Sequence, residues 1–300
     1  MKFTAIFAII FITFVFSNCQ TETAETATTS QGFEIQFHEK NNGEHPVHQD
    51  YVTYNMVIQD GDKVINSTFD QGKPQALRIV DIDDGTAQRR NFVQDALMQM
   101  TKGDSVTVLF PLDSLQMRPP GVSPDTKFLH CQISLVDIMK EEAYQTYVAD
   151  VREKENAKNM VVQARMPEVA DNMVEILADY KAGKLGDLQK TDSGLEYVIH
   201  NSGTGAQAEA GKTVSVHYYG VLKSDGTMFD ASFSRGPAIT FGLGSGQVIP
   251  GWDEGIALLK EGGSATLFIP YTLAYGEAGR PPSIPEKSDL VFYVELEKVK

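Results

Sequence analysis

The stretch from Tyr51 to Phe69 lies over Ser215 to Phe233 at one constant offset and without a gap, so that Tyr54 falls on Tyr218 and Phe69 on Phe233. Further along, Val93 to Pro111 overlays Trp252 to Pro270, with Lys102-Gly103 on Glu261-Gly262, and Leu129 to Met139 overlays Leu290 to Lys300. Three blocks repeating in one order require the two halves to share a fold. A chain of 300 residues has room for two such domains and their connecting segments.

The periodicities say what that fold is. From Gly32 to Lys140 strand-like alternation dominates, clearest in 50–58 and in Ser105 to Phe110. Between Glu141 and Gly183 the spacing turns helical: Tyr144, Tyr147, Val148 and Val151 share one face, and Met173, Ile176, Leu177 and Tyr180 share another, with Pro167 starting a second helix. Such a mixed-charge amphipathic pair is either a packed connector or the surface of a homodimer. Strand patterns return at Leu195 to Ile199, Thr213 to Leu222, Ser264 to Pro270 and Asp289 to Val299, interrupted by one short apolar helix predicted over Trp252 to Lys260. Strands around one short helix make an α+β class rather than a chain of βαβ units.

Five blocks of the second half carry a family resemblance: His217-Tyr218-Tyr219-Gly220, Phe229-Asp230-Ala231-Ser232, Val248-Ile249-Pro250-Gly251-Trp252, Ala274-Tyr275-Gly276 and Leu290 to Leu296. In order and spacing they resemble the FKBP-type peptidyl-prolyl cis-trans isomerases. The resemblance implies two FKBP-like domains, each an antiparallel sheet wrapped around a short helix, joined by a helical connector. The expected layout is a degenerate FKBP-like domain over 32–140, the connector over 141–183 and an isomerase domain over 184–300.

Isomerising an X-Pro bond breaks no bond, but rotation gives up amide resonance across a barrier of roughly 18–20 kcal/mol. A dry pocket that seats the proline ring and binds the twisted amide better than either planar form lowers that barrier. By resemblance, Trp252 is the pocket floor, with Tyr218, Phe229, Phe241, Val248, Ile249, Ile284 and Phe292 as walls. The Ile249 backbone N–H and the Tyr275 hydroxyl hold substrate carbonyls, and Asp230 faces the reacting carbonyl and orients Tyr218. Taken residue by residue, an aromatic on a strand or helix is ordinarily core, and Trp252 can be both floor and core. The loop from Gly279 to Pro285 selects what precedes proline in the family, and Arg280 and Pro282 depart from its commonest forms. The reaction needs no cofactor and no metal.

Through the repeat, the first copy has Ile65 for Phe229, Asn66 for Asp230, Val93 for Trp252 and Cys131 for Phe292, and 112–127 contains no tyrosine. This copy is expected to lack isomerase activity and to serve as a client-binding platform or a spacer. The rival for the whole chain is a non-catalytic chaperone or assembly subunit that binds polypeptide through both domains.

At the N-terminus, Met1-Lys2 precedes an apolar run from Phe3 to Phe16 and then Ser17-Asn18-Cys19. That is the length of a signal peptide, and the cysteine after it resembles a bacterial lipobox, making Cys19 the lipidated anchor. Residues 1–19 are read as signal peptide and lipobox, and 20–31, without a large apolar residue, as a flexible tether. This places the protein in the cell envelope, facing periplasm or cell surface, with proline-containing clients. A net charge of −14, from 40 acidic and 26 basic residues, repels phosphate backbones and excludes nucleic acid as a partner.

Overall fold

The structure is a computed structural model and is described for residues 25–80, 91–115, 117–119 and 121–300. Cys19 and the stretch read as a signal peptide lie outside the described residues. The chain falls into two compact units that divide between Tyr144 and Gln145.

The first unit contains β1 (Thr26–Thr28), β2 (Glu34–Glu39), β3 (Tyr51–Asp60), β4 (Lys63–Ser67), β5 (Gln75–Arg78), helix α1 (Phe92–Leu97), β6 (Ser105–Pro111) and β7 (Phe128–Met139). Its antiparallel sheet runs β1-β2-β6-β7-β3-β4, with β5 also on β3. Strand β7 alternates: Leu129, Cys131, Ile133 and Leu135 are buried in the core with Val93 and Leu97 of α1, while His130 and Gln132 between them are exposed. Asn91 caps α1 by accepting the Gln94 N–H at 2.8 Å.

The tether expected over 20–31 is shorter than the composition implied. Thr26 to Thr28 pair with β2, Thr29 is buried and accepts the Phe33 N–H, and Ser30 donates to Asp95 through both its N–H and its hydroxyl. Backbone pairing to an open sheet edge needs no large apolar side chain, which is why composition alone missed it.

Helix α2 (Glu141–Ala164) begins at the end of the first unit and continues into the second, followed by α3 (Met166–Lys181). The second sheet is built from β8 (Gln189–Lys190), β9 (Glu196–Asn201), β10 (Thr213–Leu222), β11 (Met228–Ala231), β12 (Ile239–Gly242), β13 (Ser264–Ile269) and β14 (Leu290–Val299), with helix α4 (Pro250–Ile256) before β13. Its order, β11-β10-β14-β13-β9-β8 with β12 on β10, repeats the first sheet strand for strand. Both faces of this sheet are covered. Tyr218, Leu267 and Phe292 share a core with Trp252 and Ile256 of α4, whereas Tyr219, Phe233, Phe268 and Val291 pack with Val169, Met173 and Leu177 of α3. Arg165, between α2 and α3, holds Glu295 of β14 through two hydrogen bonds.

The short helix differs from its expected span. It starts at Pro250, whose ring favours the first helical position, and ends at Ile256, after which Leu258 and Leu259 bond back only three residues. It lies so close to β13 that a Cβ at Gly251 would come within 2.5 Å of the Ile269 side chain.

The pairing register corrects the gapless overlay of the first block. Both central strands carry a bulge, between Thr53 and Tyr54 in β3 and between Ser215 and Val216 in β10. Aligning these bulges puts Tyr54 on Val216 and Met56 on Tyr218. The turn from Leu222 to Thr227 is two residues longer than that from Asp60 to Lys63, which restores the original alignment beyond it, including Asn66 on Asp230.

Candidate active site

The second unit opens a cleft of about 460 Å³ between α4, the end of β10, β11 and the loop from Tyr275 to Ile284. Trp252, 4% exposed, sits in the first turn of α4. Tyr218 and Phe292 meet its indole edge-on, at 5.1 and 5.2 Å between centroids, and Phe229 meets Phe292 at 5.4 Å. Gly220 makes this box possible, since a Cβ there would lie 2.7 Å from Phe292 and 2.8 Å from Phe229. The indole N–H has no hydrogen-bond partner among the described residues, and the Ile249 N–H donates to no protein acceptor among them.

At the rim three polar groups close a triangle. The Tyr218 hydroxyl donates to Asp230 Oδ2 at 2.5 Å, Arg235 Nη1 donates to Asp230 Oδ1 at 2.6 Å, and Arg235 Nη2 donates to the Tyr218 oxygen at 2.7 Å. Burial pushes the Tyr218 hydroxyl up to about 12, assisted by the Asp230 carboxylate that accepts its proton. Burial also works to raise the Asp230 carboxyl, but the hydrogen bonds from Arg235 and Tyr218 outweigh it and hold the group below its ordinary range. The result is a carboxylate and a neutral phenol fixed beside an apolar floor.

Tyr275 and Ile284 form the opposite wall with Arg280, Pro281, Pro282 and Ser283. Of the residues expected in the site, Tyr218, Asp230, Tyr275, Phe229, Val248, Ile249, Trp252, Ile284 and Phe292 all line the cleft. Phe241 does not: it packs against the indole at 5.9 Å and lies in the core. Arg235 escaped the sequence reading, although a carboxylate read as buried and needing partners was signal enough to look for a base close by. In the first unit the matching positions hold Met56, Ile65, Asn66, Val93 and Cys131, and burial pushes the Cys131 thiol up to about 12.

An aromatic floor of Trp252, Phe229 and Phe292 in a cleft of this size, with a carboxylate and hydroxyls at its edge, can seat an apolar ring and offer hydrogen bonds to the groups on either side of it. The FKBP-type peptidyl-prolyl cis-trans isomerase family matches residues 204–297. Peptidyl-prolyl cis-trans isomerase FPR2 of Saccharomyces cerevisiae is 48% identical over 119 residues, covering 40% of this chain and 86% of that protein. A Neisseria meningitidis protein described as a probable FKBP-type peptidyl-prolyl cis-trans isomerase FkpA is 38% identical over 189 residues, 61% of this chain and 68% of the relative. The crystal structure of FkpA from Escherichia coli aligns at 38% identity with a TM-score of 0.38, covering 53% of this chain and 71% of that one. The chain belongs to the FKBP-type peptidyl-prolyl cis-trans isomerase family, and its isomerase domain is the C-terminal one.

Proposed function

We propose that the domain over 184–300 isomerises X-Pro bonds of exported polypeptides in the cleft above Trp252, and that the domain over 32–140 does no catalysis. The observation that carries this reading is the Tyr218–Asp230–Arg235 triangle set at the rim of the aromatic box.

A proline ring fits the apolar floor of Trp252, Phe229, Ile284 and Phe292, where the planar amide loses the water that stabilises its dipole. As the bond twists, the carbonyl carbon and its oxygen turn away from conjugation with the ring nitrogen. Tyr275 and the free Ile249 N–H supply donors for the flanking carbonyls, and Asp230 faces the carbonyl carbon while fixing the Tyr218 ring. Val248 completes the wall, and Phe241 braces the indole. No proton moves, so Asp230 and Tyr218 act with their charge states unchanged.

Around this engine, residues 1–19 direct export and Cys19 carries the lipid that holds the protein at the cell envelope. Among the described residues no helix is long and apolar enough to cross a membrane. Proline-containing clients are the partners, and a homodimer would form through 141–183: α2 buries none of its residues, and Val148, Met160 and Val161 stand exposed on it.

A protease-coupled assay with the full chain and a proline peptide tests the reading, with a rate above buffer expected. No acceleration leaves the non-catalytic binding subunit in its place. The mass of the membrane-extracted protein tests the anchor, which is lost if the mature chain carries no acyl groups on Cys19.

A further inference from the structure

The turn that carries Arg235 is held from behind. It starts at Ser232, whose hydroxyl accepts the Tyr218 N–H at 2.8 Å, and closes with the Arg235 and Gly236 N–H groups both donating to the Ser232 carbonyl at 2.9 Å. Arg235 reaches forward from it to Asp230 and Tyr218. Its neighbours face the helices. Phe233 is buried with Val169 and Met173 of α3, and the Arg165 guanidinium lies 5.5 Å from its ring. The Ser234 carbonyl accepts from Gln163 Nε2 at 3.5 Å. Gly236 is buried so close to α2 that a Cβ there would lie 2.5 Å from the Cβ of Asn159.

This contact is where α2 docks. The helix belongs to the second unit from Gln145 onward; 152–158 are exposed throughout, and Asn159 and Val162 are the next half-buried residues. The first copy supplies a comparison. Gly72 ends the matching turn at φ 71°, as Gly236 does at 96°, yet a Cβ on Gly72 would meet nothing within 4 Å among the described residues. Phe69 is 60% exposed where Phe233 is covered, and Gln71 stands in the place of Arg235. Among the described residues, a helix backs the turn in the copy that carries the arginine and not in the other.

We infer that the last turns of α2 are a positioning element for isomerisation, in which Asn159, with Gln163, sets the turn and so seats Arg235 against Asp230 and Tyr218. One Cβ, that of Asn159, separates helix from turn, and Gly236 leaves room for it. This rests on the isomerase reading given above, and it makes the end of the connector part of the working domain.

The test moves that Cβ. Gly236→Ala puts two between helix and turn, Asn159→Gly puts none, and the pair together restores one. Relaxing a 2.5 Å approach to ordinary contact shifts the turn by about 1 Å, and a misplacement of that size costs up to roughly a hundredfold. On one proline peptide, kcat/KM of the full chain should fall about tenfold in Gly236→Ala and about threefold in Asn159→Gly, and return to within about twofold of wild type in the pair. Asn159→Ala, which keeps the Cβ, should recover what Asn159→Gly loses. In an Arg235→Ala background none of these changes should cost more than about twofold further, because the group they position is gone. Trp252 emission and circular dichroism report folding, and if Gly236→Ala does not fold, Asn159→Gly decides, wild-type kcat/KM overturning the inference. A Gly236→Ala loss that Asn159→Gly leaves in place belongs to the turn itself and overturns the inference, as does an equal loss without Arg235. A wild type that turns over no peptide overturns the isomerase reading, and the inference with it.

Discussion

Met56 stands in the first sheet where Tyr218 stands in the second. Each has its backbone N–H held at 2.8 Å by the hydroxyl that opens the next turn, Thr68 in one copy and Ser232 in the other. The scaffold bond has been kept while the side chain that would reach a carboxylate is replaced by a thioether, and the carboxylate itself is Asn66.

Substitution in the first copy should accordingly leave isomerisation alone. Asn66→Ala in the full chain is expected to keep kcat/KM within about twofold, as for independent sites. A clear loss would show that the first domain touches the reaction.

Breaking the rim triangle should act on turnover and not on the fold. Asp230→Asn and Arg235→Ala each remove a charge-assisted hydrogen bond, a class worth about 1.5–3 kcal/mol, and should lower kcat/KM by roughly ten- to a hundredfold. Because both side chains are partly open to solvent, denaturation midpoints should shift little. Unchanged rates would remove both residues from the mechanism.

Trp252 is the only tryptophan in the chain, so its emission follows the second domain alone. Trp252→Ala should cost about 3–5 kcal/mol, enough to leave that domain marginal, while Trp252→Phe should keep it folded. Chemical denaturation followed by circular dichroism separates the two. An Ala variant as stable as wild type would mean that the indole is not part of the core.

With Asp230 held below its ordinary value of 3.8 and Tyr218 pushed up to about 12, neither group changes charge between about pH 5 and pH 9. A level kcat/KM profile across that range is expected, and a bell centred near neutrality would contradict it. Stability should behave differently. Burial lowers His200 and His217 from 6.5, the latter against an opposing pull from Glu297 and Glu295 and with a small push from Arg165. The unfolded chain takes up protons near pH 6.5 that the folded one resists, so this stability is complete above about 6.5 and is lost as pH falls through the folded values. A thermal midpoint that drops from pH 7 to pH 5 is expected, and a flat one would count against the burial of both imidazoles.

Much of this was legible from residues alone, because the repeat and the spaced aromatic blocks are local patterns. The α+β class and the helix carrying Trp252 could be read that way, whereas the cleft residues were reached through the family resemblance that the aromatic blocks carry. What escaped depends on relations that no single stretch encodes. The two-residue longer turn after Leu222 shifts Tyr54 off Tyr218, yet the gapless overlay looks better to the eye since tyrosine meets tyrosine. Arg235 acts through a carboxylate five residues before it, across a turn. Phe241 carries the composition of a wall and the position of a brace, and only the packing separates these.

The central claim is that catalysis resides in one copy of a duplicated fold. Measuring kcat/KM on one proline peptide for the full chain, for Asp230→Asn and for Asn66→Ala tests it most directly. The account predicts a loss of at least about tenfold in the first variant and wild-type turnover in the second. Equal losses in both, or turnover that survives Asp230→Asn and fails with Asn66→Ala, would contradict it.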